Sequence, residues 1–181
     1  MGKIIGIDLG NSVLRTAVRT EEGVVLIPAA GGENGFPSAV AFAKTGEQMT
    51  GRLAKRQALL NPQRSFTSLR SALGRVEARR MDGRTLRPQE LAAALLREAK
   101  KQAEEHLGED VSAAVLSVPA CADDALCQAM RESAKLAGLR VHSLICDPLA
   151  AALACSLQER EGETILCCDL GGRSCSVSLL Q

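Results

Sequence analysis

A chain of 181 residues with 46% hydrophobic content has room for one domain with a sizeable core. Its 22 Lys and Arg balance 21 Asp and Glu to a net charge of +1, so bulk charge gives no argument for nucleic acid, which wants a basic surface, and no apolar run reaches the length of a membrane span. The residues after Met1 read as a strand rather than a leader, which makes the cytoplasm the expected setting.

Lys3-Ile4-Ile5-Gly6-Ile7 reads as a buried strand, Asp8-Leu9-Gly10 as its turn and Val13 to Val18 as the return. Lys3–Leu9, Ser12–Thr20 and Val24–Ile27 therefore predict hairpins, with Glu21-Glu22-Gly23 as a turn. After a glycine-rich loop, Phe36–Phe42 predicts one short strand. Gly51–Leu60 and Pro62–Leu73 predict two helices split at Asn61-Pro62. Asp82-Gly83, inside Val76–Leu86, is a strong hairpin signal because both residues tolerate positive φ. Arg87-Pro88-Gln89-Glu90 opens a helix to about His106, with Leu91, Ala94, Leu95, Ala99 and Ala103 at helical spacing and Gly108 as its stop.

The remainder alternates. Val111–Val118 is a strand, Asp123 and Asp124 cap a helix to Ala137, Val141–Ile145 is a strand, and Pro148–Leu157 is a helix of mostly Ala and Leu. Such units imply parallel pairing with right-handed crossovers, so the expected fold is α/β, a mixed sheet flanked by helices. With Phe36, Phe42 and Phe66 as the only aromatic residues, its core must be aliphatic.

One phrase occurs twice. Thr164–Cys168 leads into Asp169-Leu170-Gly171-Gly172, and Ser174–Leu180 returns, just as the first strand leads into Asp8-Leu9-Gly10. Backbone N–H groups in such turns converge into an anion nest, and an Asp at the strand end can hold the waters of a magnesium ion. Two such turns face to face would clasp the phosphates of a nucleotide.

All seven cysteines follow residue 120. An odd number, no C-x-x-C and two histidines argue against a disulfide framework or zinc and for buried apolar cysteines. Cys167 and Cys168, adjacent on a strand, must face opposite ways.

The ordered set Gly6-Ile7-Asp8-Leu9-Gly10, Phe36-Pro37-Ser38-Ala39-Val40-Ala41-Phe42, Ala54-Lys55-Arg56-Gln57-Ala58, Val118-Pro119-Ala120, Asp147-Pro148-Leu149-Ala150-Ala151-Ala152-Leu153-Ala154 and Asp169-Leu170-Gly171-Gly172 resembles the nucleotide-binding domain of the DnaK-type seventy-kilodalton heat-shock chaperones. The resemblance runs from Met1 to Gln181 and implies the actin-like (ribonuclease H-like) ATPase fold, a two-lobed domain with ATP in the cleft between lobes. It implies that residues 1–162 form lobe I, with one subdomain at about 1–36 and 109–162 and another at about 37–108. Residues 163–181 would then be the first hairpin of lobe II, whose remainder carries most of the family's adenosine pocket.

The same resemblance assigns roles. Asp8 and Asp169 would hold Mg2+ through water. Gly10, Asn11 and Ser12 form the first phosphate turn, and Gly171, Gly172, Arg173 and Ser174 the second. Arg70 stands in place of the family's catalytic lysine, and Asp147 in place of a glutamate that positions water and metal. The Arg70 swap is not conservative, because a guanidinium is planar and forked. For Arg70 a second reading, a surface arginine on a helix, stays open. For Asp147 the second reading is an N-cap of the following helix. Cys127 replaces an arginine that relays nucleotide state through a proline, here Pro119. Arg173 replaces a glycine, and there it either blocks the phosphate or pairs with it.

These departures imply ATP or ADP binding that is weak and hydrolysis that is slight, on a chaperone scaffold whose family activity is ATP hydrolysis. The alternative is a non-enzymatic interaction module, or an excised piece of a longer chaperone. Chaperone or co-chaperone partners are expected on either reading. So is self-association through residues 164–180, since an isolated hairpin exposes edges and apolar side chains.

Overall fold

The computed structural model describes residues 2–75, 78–157 and 162–181. In chain order the strands and helices are β1 (Lys3–Leu9), β2 (Val13–Thr20), β3 (Gly23–Ile27), β4 (Phe36–Pro37), β5 (Ala39–Phe42), β6 (Gln48–Thr50), α1 (Gly51–Leu60), β7 (Ser65–Thr67) and α2 (Leu69–Ala72). They continue with β8 (Arg79–Met81), β9 (Arg84–Leu86), α3 (Pro88–Leu107), β10 (Val111–Val118), α4 (Asp124–Leu136), β11 (Arg140–Cys146), α5 (Asp147–Ala154), β12 (Ile165–Leu170) and β13 (Cys175–Leu180).

The main sheet is mixed, as the alternation of elements predicts. β1, β2 and β3 pair antiparallel, β4 adds to β2, and β10 and β11 extend the other side of β1 in parallel. Ile5, Ile7, Leu9, Leu14, Val111 and Leu116 are buried along it. The helix α3 lies against α4 and against β2, β3, β5 and β10. That encirclement buries Ala92, Ala93 and Leu96 in addition to the positions of the expected stripe. The helix begins with the Glu90 carboxylate accepting the Arg87 N–H at 2.9 Å and ends at Gly108 in the left-handed region. Asp123 caps α4 by accepting the Leu126 N–H at 2.8 Å.

Four expectations are corrected. Phe36–Phe42 is not one strand: at Ser38 the chain leaves the main sheet, its N–H donates to the Ser12 carbonyl at 3.0 Å, and β5 joins a separate sheet of order β6-β5-β7. Pro62–Leu73 is not one helix. A single 3-10 turn gives way to β7, which pairs with β5 through Val40 and Phe66, and only one helical turn remains after Ser68, itself at φ 57°. Burying Phe66 against its neighbours outweighs local helix preference. The helix expected over Pro148–Leu157 stops at Ala154 and starts one residue earlier, so Asp147 is its first residue and Cys146 its cap. None of the seven free cysteines is fully buried, because they sit at the start of α4, at the ends of β11 and α5, and on a hairpin with an open outer face.

The Asp82-Gly83 turn forms as expected, with φ of 50° and 76° joining β8 to β9, while Val76 and Glu77 of that predicted segment lie outside the described residues. Arg64 anchors this hairpin. Its guanidinium donates to the Phe42 and Ala43 carbonyls at 3.3 and 3.0 Å and pairs with the Asp82 carboxylate.

Candidate functional site

The two Asp-Leu-Gly turns are alike at the backbone. The Gly10 N–H donates to the Val13 carbonyl at 3.1 Å, and the Gly171 N–H donates to the Ser174 carbonyl at 2.8 Å. A Cβ on Gly10 would lie 2.6 Å from that Val13 oxygen, so no larger residue fits the first turn. The turns also meet each other. A Cβ on Gly172 would lie 1.8 Å from the Ser12 Oγ and 2.9 Å from its Cβ, so glycine is what lets the second turn seat on the first.

Between them opens a cleft of about 500 Å³. Asp8 enters it from the end of β1 and Asp169 from β12, so both carboxylates line one cavity. Gly10, Asn11, Ser12, Gly171, Gly172 and Ser174 form its turn walls, and Arg70 and Asp147 complete it from α2 and α5. No acceptor among the described residues meets the N–H groups of Asn11, Ser12 or Gly172. Those amides lie on a cavity that Asp8 and Asp169 also line, and converging backbone N–H groups of this kind are suited to an anion.

Charge in the cleft is shared among few groups. The Arg70 Nη2 donates to the Asp147 Oδ2 in a close ion pair whose side chains are only 12% and 19% exposed. Arg70 Nη1 lies 3.9 Å from the Asp8 Oδ1, while its buried Nε meets no acceptor among the described residues. Asp8 also accepts from the Ser117 hydroxyl at 3.2 Å and lies 3.8 Å from Arg15, its cross-strand neighbour. Although 43% of the Asp8 side-chain surface is open, the surrounding protein strips enough water to raise its pKa; Arg70 and the Ser117 hydroxyl oppose that rise, and Asp147 reinforces it. The Asn11 Oδ1 is already engaged, accepting from the Ser71 N–H at 3.1 Å and the Ser71 hydroxyl at 2.8 Å.

Of the residues given a phosphate, metal or catalytic role from sequence, Arg173 alone is not on this cleft; it lines a neighbouring cavity with Arg75 and Arg79. Cys127 is half-buried on α4, and Pro119 borders another adjoining cavity that also touches Arg70 and Asp147. The surface reading of Arg70 fails, since its side chain is nearly enclosed. The cap reading of Asp147 fails too, because its carboxylate turns to Arg70 instead.

Sequence reasoning passed over Arg15, Ser71 and Ser117. Arg15 carried a usable signal: a hairpin turning at Gly10 places it opposite Asp8. Ser71 and Ser117 carried none, because each reaches its partner only through the tertiary fold.

A magnesium ion suits the donor set. Among the described residues no group of three or more acidic, Cys or His side chains gathers here, but magnesium keeps most of its waters and asks only for one or two carboxylates plus phosphate oxygens.

A family model described as Hsp70 protein matches residues 4–81 and 75–181.

Proposed function

This chain belongs to the Hsp70 family, with its actin-like ATPase fold, and we propose that the cleft is a DnaK-type nucleotide site with low affinity and little or no hydrolysis. Residues 1–162 then serve as lobe I, in subdomains of about 1–36 with 109–162 and about 37–108, and 163–181 as the opening hairpin of lobe II. The observation that carries the reading is the seating of Gly172 on Ser12, which brings two turn nests and the carboxylates of Asp8 and Asp169 onto one cavity.

In this reading the free amides of Asn11, Ser12 and Gly172 hold phosphate oxygens of ATP or ADP, aided by the hydroxyls of Ser12 and Ser174. Asp8 and Asp169 orient the water shell of Mg2+, which when bound neutralises phosphate charge. No aromatic side chain lines the cleft to stack on a base, and this supports weak binding. Slow hydrolysis follows from the close Arg70–Asp147 pair: each group is held by the other, so neither is free to meet a terminal phosphate or to orient water. Phosphoryl transfer rests on positioning and charge, and a misplacement of about 1 Å can cost on the order of 100-fold.

The test is a thermal-shift and calorimetric titration with Mg-ADP and Mg-ATP. A ligand specific for the folded state adds about 2.7 kcal/mol of stability at about 100 times its dissociation constant. The expected outcome is saturable binding weaker than micromolar, with phosphate release near background. Submicromolar ATP affinity or multi-turnover hydrolysis would overturn the proposal.

A second reading, an interaction module, is favoured by β12–β13. One side of this hairpin rests on α5. On the other, Leu166 faces Leu179, Cys168 faces Val177 and Leu170 faces Cys175, and all six side chains are exposed. Among the described residues neither strand pairs with another sheet. A second copy of the chain, adding its own hairpin edge to edge, would satisfy both the free backbone groups and the apolar face. Chaperone or co-chaperone partners remain the family-level expectation.

A further inference from the structure

Arg173 leaves the first cleft for a cavity of about 430 Å³ that shares no lining residue with it. Arg75, just after α2, and Arg79, on β8, line that cavity with Arg173, so three separate segments each contribute an arginine. Among the described residues no carboxylate lines it, and none of the three arginines is in an ion pair. Three like charges around one cavity repel one another, and nothing among the described side chains offsets them. The guanidinium carbon of Arg79 lies over the Phe66 ring, 5.4 Å from its centre, a contact that holds the side chain beside the cavity. The side chain of Ser68, on a largely buried left-handed residue, makes no cap hydrogen bond and adds a hydroxyl donor.

We propose that this cavity is a phosphate site, distinct from the nucleotide cleft, at which Arg75, Arg79 and Arg173 together bind a dianionic phosphate group. Forked guanidinium donors match phosphate oxygens in pairs, and a group of charge near −2 offsets most of the three positive charges. A lone carboxylate would leave most of that charge unbalanced. The group is carried either by free inorganic phosphate or by a phosphoserine side chain.

The test is a calorimetric titration of the intact chain, without magnesium, in about 0.15 M salt where surface attraction is screened. Inorganic phosphate and a short phosphoserine peptide are titrated in parallel, with the unphosphorylated peptide as control. Saturable binding of one equivalent is expected for at least one phosphate probe. Arg79→Gln and Arg173→Gln are each expected to weaken it by about tenfold or more, as loss of a charge-assisted hydrogen bond does. Both arginines are exposed, so the melting temperature is expected to stay put. Ser12→Ala, a change in the first cleft, is expected to leave the affinity alone. Absence of saturation, equal binding by the arginine variants, or loss in Ser12→Ala would each overturn the site. Loss in Ser12→Ala alone assigns the phosphate to the first cleft, and the nucleotide reading then stands while this one fails.

Discussion

Arg70 and Asp147, 77 positions apart in the chain, close on each other across the cleft, the guanidinium donating to the carboxylate with both side chains largely shielded from water. On the resemblance to the chaperone family these are the positions of a lysine and a glutamate, and on that proposed correspondence the two departures act as one interaction.

The pair is expected to couple strongly. Asp147→Ala strands a nearly enclosed guanidinium whose Nε already lacks an acceptor, and a loss of about 1–3 kcal/mol is expected in urea unfolding. The double variant Arg70→Ala with Asp147→Ala is expected to cost clearly less than the sum of the singles. Arg70→Lys alone is not expected to raise phosphate release, since Asp147 would still engage the ammonium.

At the meeting of the turns, Gly172→Ala drives a methyl into Ser12. Overpacking of this kind costs about 1–3 kcal/mol, and nucleotide affinity is expected to fall with it. Adding Ser12→Gly removes the clashing Cβ and is expected to recover most of the melting temperature. If the second change recovers nothing, the turns do not touch as described.

Asp8 links stability to pH. Burial raises its carboxyl above 3.8, so between that value and the folded one the folded chain holds the extra proton. Its contribution is fully present below the unfolded pKa and is lost as pH rises through the folded pKa. Asp8→Asn carries no such charge. In melts from about pH 3 to about pH 7, the variant is expected to gain on the parent as pH rises and then to level off.

Glu104 has the opposite sign. The Lys100 ammonium first, then the Val111 N–H at 3.0 Å, hold its carboxyl below 4.5 and tie α3 to the start of β10. That contribution is present above the unfolded pKa and is lost as pH falls through the folded one. Glu104→Gln is expected to cost about 0.5–1.5 kcal/mol at neutral pH in denaturant titrations, with the difference fading in acid.

For the hairpin, light scattering across a range of concentrations is expected to show a dimer or larger species whose melting temperature rises with concentration. Leu166→Lys with Leu179→Lys places like charges directly opposite each other on the exposed face and is expected to yield monomer. A parent chain already monomeric at high concentration would dismiss self-association.

Local chemistry was legible in the residues themselves. Asp82-Gly83 turns, Asp123 caps, Gly108 stops a helix, and the repeated Asp-Leu-Gly phrase makes two matching turns, because each depends on backbone preferences within a few positions. The order of strands and helices likewise implied the mixed sheet, since crossover handedness and strand pairing leave few arrangements. What no local rule contained was decided by contacts between distant segments. Phe66 became a strand because β5 offered it partners, Ser38 became a corner because the Ser12 carbonyl received its N–H, and Arg173 left the cleft for a cavity built with Arg75 and Arg79. Most of all, Arg70 met Asp147 only when α2 and α5 were brought to the same cleft. A charged side chain takes the partner that desolvation makes most favourable, and which groups lose their water is a property of the folded whole.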